Sequence, residues 1–396
     1  MITKEFFDQI NDRRIPGDIK YEHVEGVEDQ DLIPMWIADM DFKCAPQIVE
    51  GIKRGADRAI YGYMEPDAEY HQAIIDWYGT RFGWTIKPEE IIPMPSVMFG
   101  VGCTVKALTE PGDGVLILEP VYYPFRGVVE ANGRKKIVSE MKLVDGRYEI
   151  DFEDMEKKIV DNEVKLFILC SPHNPVGRVW THDELTKVAE ICKKHDCYVL
   201  SDEIHSDFIY PGAVHTPFAT ISEDAANRTI TCTAPTKTFN MAGIQVSNIM
   251  VVDPEIRKKV FDEMAATGYF EINNLAIAAL KAAYNESEEW LAELLKYLKG
   301  NIDLVSEISD RTEGKIKLIE PQGTYLLWLD CRELGLDDDA LYDWFLYKTG
   351  IRMHKGVTFG PSGSGFVRMN VACPRSVLAE ALDRIESQFH TFGCGR

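Results

Sequence analysis

No stretch of this 396-residue chain approaches the roughly 18 to 20 consecutive apolar residues that a membrane-spanning helix needs. The opening MITKEFFDQINDRR is too charged for a secretory leader, so the sequence predicts a cytoplasmic protein with no membrane partner. Positive charge is scarce as well: 43 Lys and Arg stand against 64 Asp and Glu, a formal net charge of −21. Such a field repels polyanions, which argues against nucleic acid and leaves a small molecule as the expected ligand. Paired cysteines are also missing. The nine cysteines (44, 103, 170, 192, 197, 232, 331, 373 and 394) are odd in number, scattered and without a CxxC spacing, as expected of reduced thiols. CKKHDC (192–197) has no second ligand pair nearby, so no metal is expected. Neither internal repeats nor low-complexity tracts occur.

What is present is a regular rhythm. Short apolar runs, GVLIL (114–118), KLFIL (165–169), CYVLS (197–201), TITCT (229–233) and NIMVV (248–252), are bounded by polar, Gly or Pro segments and read as buried strands. Between two of them THDELTKVAEICKKHD (181–196) carries Leu185, Val188, Ala189 and Cys192 at helical spacing behind a Thr181 or Asp183 cap. Alternating strands and helices predict an α/β fold with a mostly parallel sheet. Residues 255–310 read as a long helical spine. GTYLLWLD (323–330) and GFVRMNVA (365–372) then alternate like strands, between amphipathic helices, and suggest a smaller α+β domain. The expected division is 50–285 for the large domain, with 1–49 and 286–396 forming the small one.

Chemistry gathers where the central strands end. KLFIL leads to Asn174, CYVLS to Asp202 and His205, and TITCT to Lys237 in TAPTKTFN. Singly, each has an ordinary explanation: a turn former before Pro175, a helix cap, a hydrogen-bonded core histidine, a solvated lysine. In a parallel α/β sheet, however, the carboxyl ends of the strands line one crevice. An amine in a partly dry crevice has a lowered pKa and can condense with an aldehyde. Pyridoxal 5′-phosphate (PLP) needs such a lysine, with a carboxylate facing its pyridinium nitrogen. Asn174 adds an amide donor for the ring oxygen.

SPHNPVGRVW, SDEIHSDF, TAPTKTFNMAGIQ, PQGTYLLWLD and FVRMNVACPR, preceded by MWIADMDF and YGYM, occur in the order found in a known group. The chain resembles the fold-type I PLP-dependent enzymes of aminotransferase class I and II, with an aspartate-aminotransferase-like large domain. Within them it is similar to the MalY- and PatB-type C-S lyases, which include cystathionine β-lyases. The resemblance implies that Lys237 attaches the cofactor, Asp202 faces the ring nitrogen and Asn174 meets the ring oxygen. It implies that Tyr122, rather than its neighbour Tyr123, stacks on the ring. Ser96, Val97 and Met98 would hold the phosphate at a helix start, with Thr236 also near the cofactor. Arg368 would grip the substrate α-carboxylate, with Ala38 and Asn174 beside it. Tyr61 would reach the partner subunit's phosphate, which implies a homodimer with shared sites.

Departures from the aminotransferase pattern tilt the resemblance toward elimination. Many of those enzymes carry a hydroxyl three residues before the lysine, an arginine eight after it and a tyrosine three after the aspartate. Here those positions are Ala234, Gln245 and His205. Thr233, Thr236 or helix amides would have to compensate at the phosphate. The expected reaction is α,β-elimination of L-cystathionine or a related cysteine thioether to a thiol (homocysteine), pyruvate and ammonia. Lys237 would be the general base. The alternatives are an aminotransferase of the same cofactor and a PLP-fold regulatory binding protein; a regulator as an additional partner also fits the branch. GPSGSGF (360–366) lacks the Gly-Lys-Ser/Thr ending of a phosphate loop and reads as a flexible lead into the Arg368 strand.

Overall fold

The computed structural model describes residues 2–29 and 31–392, with the side chain of Phe392 left out. Cys394 lies outside the described residues; the other cysteines are free thiols. The apolar runs become the strands of a seven-stranded sheet: β1 (Ile91–Met94), β2 (Gly114–Glu119), β3 (Lys135–Glu140), β4 (Leu166–Cys170), β5 (Tyr198–Asp202), β6 (Thr229–Thr233) and β7 (Ser247–Val251). Their spatial order is β1-β7-β6-β5-β4-β2-β3. The ladders from β6 through β5, β4 and β2 to β3 are parallel, whereas β7 runs antiparallel to both β6 and β1. Helices cover both faces, so β2, β4, β6 and β7 are buried along their whole length, which is why they read as continuous apolar runs. The chain leaves β2 toward β3 on one side and returns through β4 toward β5 and β6 on the other. The crevice at the carboxyl ends of β2 and β4 is therefore the switch point where ligands bind in such sheets.

The helix His182–Lys194 is capped by Thr181, whose hydroxyl accepts from Glu184 N while Glu184 reaches back to Thr181 N. The expected spine is divided into Pro254–Ala266, Asn274–Glu286 and Glu288–Ser306, with the short turn Ile308–Arg311 at its end, rather than one helix. Ser287 divides the last two and turns its hydroxyl to Ala282 O at 3.0 Å. A four-stranded antiparallel sheet follows: β8 (Lys317–Ile319), β9 (Leu326–Asp330), β10 (His354–Lys355) and β11 (Phe366–Asn370), in the order β8-β9-β11-β10. The N-terminal segment packs on this part: Ile33–Pro34 pairs in parallel with Ile351–Arg352, and Phe7 meets Phe42, Trp290 and Tyr297.

The expected flexible lead at 360–366 instead contains the 3-10 turn Pro361–Gly363, packed against the preceding turn Gly356–Phe359. A Cβ on Gly363 would lie 2.2 Å from Gly356 O, and one on Gly360 would lie 2.4 Å from a Glu119 carboxylate oxygen. Glycine is needed there for close approach, not for looseness. Among the described residues no helix is long and apolar enough to cross a membrane.

Candidate active site

The three strand ends converge. Asp202 is the last residue of β5, in register with Cys170 of β4 and Cys232 of β6. Asn174 lies in the loop after β4, and its main-chain oxygen accepts from Tyr122 N at 3.0 Å, which joins the ends of β2 and β4. Lys237 sits on a single helical turn, Pro235–Thr238, directly after β6. Together with Tyr122, His205 and Thr236 they line a cleft of about 180 Å³. Ala38 closes one side, and the start of the helix Val97–Leu108 closes another through Ser96, Val97 and Met98. Ser96 caps that helix by accepting from Phe99 N at 3.2 Å.

Burial sets the protonation states. The Lys237 amine is pushed down to about 8 by desolvation, with Arg368 adding to the shift and Asp39 and Asp202 opposing it. Its Nζ donates to Ala38 O at 2.5 Å. The Asp202 carboxyl is pushed up to about 7 by burial and by neighbouring Glu203, against the Ile204 N–H and the Lys237 charge. Burial, then Lys237 and Arg368, drive the His205 imidazole down to about 3, so it is neutral at pH 7. Its Nδ1 has no protein partner.

Arg368 stands behind Asn174 rather than in the cleft wall. Its Nη1 donates to Asn174 Oδ1 at 3.0 Å and its Nη2 to Trp36 O at 2.7 Å, while the guanidinium lies 4.7 Å over the Phe359 ring. Only 2 % of it is exposed, its Nε is unpartnered and no carboxylate of the described residues pairs with it. A buried guanidinium without an anion is costly, and a ligand carboxylate would satisfy it.

Other expectations fare unequally. Tyr61 is 63 % exposed and outside the cleft; its hydroxyl donates to Ala56 O at 2.9 Å. Tyr122 lines the cleft, whereas Tyr123 turns outward against His354 and Phe359. Thr233 cannot compensate at the phosphate: it points into the sheet and donates to Asn248 O at 3.3 Å. Gln245 is exposed, in a left-handed conformation, and does not line the cleft. That leaves Ser96, Thr236 and the helix start at this end. Sequence reasoning missed Cys170, Ile204 and Ala242 in the wall, and Tyr325, whose hydroxyl donates to Ala38 O at 3.0 Å. Cys170 and Tyr325 look like core residues in sequence and carry no separate signal.

The donor set fits PLP on its chemistry. An amine of lowered pKa can condense with an aldehyde, a buried carboxyl without a contacting cation suits a pyridinium nitrogen, and a capped helix start suits a phosphate.

Comparison with known proteins agrees. The profile of Aminotransferase class I and II matches residues 30–385. Cystathionine beta-lyase PatB of Bacillus subtilis is 42% identical over 357 residues, 90% of this chain and 92% of that protein. Protein MalY of Escherichia coli is 33% identical over 89% of this chain and 90% of its own. Aspartate aminotransferase of Pyrococcus horikoshii reaches 27% over 90% of each. Among solved structures, cystalysin from Treponema denticola, which contains a pyridoxal 5′-phosphate cofactor, superposes with a TM-score of 0.95 at 38% identity and covers 99% of this chain and 100% of that one.

Proposed function

The chain belongs to the aminotransferase class I and II family, and from that premise we propose that it is a PLP-dependent carbon–sulfur β-lyase acting on L-cystathionine or a related cysteine thioether. One structural observation carries the amino-acid part: Arg368 is buried, without an anion, and tied to Asn174 in the wall of the lysine cleft. The 42% identity to PatB, against 27% to the aspartate aminotransferase, supports elimination over transfer.

Bound in the cleft, PLP supplies an electron sink for a bond broken at the amino acid's Cα. Asp202 would hold its ring nitrogen protonated, Asn174 would donate to its ring oxygen and Tyr122 would cover its face. Ser96, Thr236 and the amides of Val97 and Met98 would hold the phosphate. Arg368 would take the α-carboxylate with its free N–H groups, which turns the Cα–H bond toward Lys237. The Lys237 amine, with a pKa near 8, is strong enough as a base and yet partly deprotonated near neutral pH. It accepts the α-proton. The Cβ–S bond then breaks, the sulfur leaves with the electron pair and takes up a proton as thiol, and the remaining three-carbon enamine hydrolyses to pyruvate and ammonia. Neutral His205 puts no charge beside the ring and offers a hydrogen bond at its unpartnered Nδ1.

A homodimer belongs to the same reading. Ile60, Tyr61 and Tyr63 expose 77%, 63% and 93% of their surface on one loop, as residues that enter a partner's site would. The free thiols support a reducing, cytoplasmic setting.

Incubation of the PLP-loaded enzyme with L-cystathionine decides the reaction. Release of equal amounts of pyruvate and thiol is expected; amine transfer that needs a keto acid and releases neither would overturn the lyase reading.

A further inference from the structure

Residues 36–42 form no regular structure, yet side chains from distant parts of the chain hold almost every carbonyl along them. Arg368 Nη2 donates to Trp36 O. Asn370 Nδ2 donates to Ile37 O and Asp39 O at 2.5 and 2.6 Å. Lys237 and Tyr325 share Ala38 O. Asn240 holds the far end: its Oδ1 accepts from Met40 N at 2.9 Å, and its Nδ2 donates to Met40 O at 2.9 Å and Phe42 O at 2.7 Å. Irregular backbone cannot satisfy its own polar groups, so these side chains, together with Arg13 on Met40 O, Asn11 on Asp41 O, Lys20 on Asp39 O and the main-chain bond from Asp41 N to Ala372 O, fix its path.

The two amides are placed to a purpose. Asn240 follows Lys237 by three residues, and Asn370 follows Arg368 by two. Asn240 has a φ of 54°, a left-handed conformation that asparagine tolerates better than most residues. Its side chain is used from both ends. The strap thus touches the lysine and the arginine directly, and is stapled by the near neighbour of each.

We propose that Asn240 and Asn370 are positioning residues: by holding one strap from two sides they set the distance between the Lys237 amine and the Arg368 guanidinium, and so place Cα–H of a bound amino acid at the amine. This rests on the amino-acid lyase reading above. It also bears on the charge of the lysine nitrogen. Asp39, on the strap and itself paired with Arg13 and Lys20, and Asp202 favour a proton there, Arg368 opposes it, and His205 is neutral. A loosened strap carries Asp39 and the Ala38 carbonyl away and leaves Arg368 behind, so the lysine nitrogen loses its proton at lower pH.

Two substitutions in the holoenzyme test this. Asn240→Gly keeps the left-handed backbone and removes the amide; Asn240→Asp keeps the acceptor for Met40 N and loses both donors. For Asn240→Gly the midpoint of the visible-absorbance titration of the lysine–cofactor linkage should fall by about half a pH unit or more. Its kcat should fall about tenfold with KM within about threefold, and the α-deuterium isotope effect should rise, because proton removal becomes slower. Asn240→Asp keeps one of the three hydrogen bonds but adds a carboxylate that itself favours a proton on the lysine, so its midpoint should fall less than that of Asn240→Gly while its kcat still drops. Asn370→Ala should instead weaken calorimetric binding of 3-(methylthio)propanoate, which has the carboxylate but no α-amine, by several-fold. A lower melting temperature with unchanged titration midpoint and isotope effect in Asn240→Gly, and unchanged binding in Asn370→Ala, would reduce both residues to scaffolding and overturn the proposal. Should wild type release no thiol from cystathionine, the lyase reading falls alone, and the titration midpoint still decides the strap.

Discussion

Arg368 Nη1 donates to the side-chain oxygen of Asn174 at 3.0 Å, which joins the middle of β11 to the loop after β4. With its oxygen so engaged, the donor end of the Asn174 amide is the one available to a ring oxygen in the cleft. Asn174→Asp would put a carboxylate against Arg368, where it competes with the substrate's own. KM should rise about tenfold or more, and Arg368→Ala should lower kcat/KM by roughly a hundredfold or more through loss of charge-assisted hydrogen bonds. Steady-state kinetics on one thioether checks both: Asn174→Asp also loses the donor to the ring oxygen, so it should lower kcat as well and recover only in part at high substrate.

Lys237→Ala should abolish the linkage-dependent visible band and cut elimination by at least about 10³-fold, the loss of a general base and an attachment point together. The fold should survive, since Ala38 O keeps the Tyr325 hydroxyl as a partner. Absorbance spectra and circular dichroism of the PLP-supplemented variant check both statements. A retained pH-dependent band would remove Lys237 from its role.

His173 gives a pH signature separate from catalysis. Burial holds its imidazole down at about 4, while its Nε2 contacts Pro120 O at 2.9 Å. The unfolded chain, with a pKa near 6.5, therefore binds the extra proton first as pH falls. The stability contribution is complete above about 6.5 and is lost progressively down to about 4, by roughly 3 kcal/mol in all. His205, driven down to about 3, acts in the same direction, whereas Asp202, raised to about 7, acts against it between about 4 and 7. Denaturation midpoints of wild type should fall between pH 7.5 and 5, and less steeply in His173→Gln.

The large sheet was legible because buried parallel strands leave continuous apolar runs, and the rule that ligands meet at strand ends then selected Asn174, Asp202 and Lys237 without any contact information. The strap was not legible. Its partners Asn370, Arg368 and Tyr325 lie roughly three hundred residues away, and a segment held by foreign side chains has no periodicity of its own. The same holds for the ion cluster around it, where Arg13 contacts Asp18, Asp39 and Asp41, and Lys20, 1 % exposed, contacts Asp39 and Asp41. In sequence these are ordinary surface charges. The packed turns near Gly360 were misread because glycine marks close approach as readily as looseness.

Asp207 offers a test of how firmly the lysine turn is held. Its two carboxylate oxygens accept from Arg81 Nε and from Thr238 Oγ1, each at 2.7 Å, and Thr238 is the residue after Lys237. Asp207 is 3 % exposed and Arg81, 22 % exposed, lies 4.8 Å from the Trp77 ring. Asp207→Ala would leave a mostly buried guanidinium and a buried hydroxyl without partners. Removing one member of such a pair costs about 3 to 5 kcal/mol when both are fully buried, and Arg81 keeps enough water contact to place this case near the lower end, about 3. Asp207→Asn retains an acceptor for either donor but no charge, and should cost less. Neither residue touches the cleft, so the melting temperature of both variants should drop, Ala more than Asn, while the visible-band midpoint of the folded holoenzyme stays at the wild-type pH. A shifted midpoint in Asp207→Asn would show instead that this carboxylate helps to set the charge on Lys237.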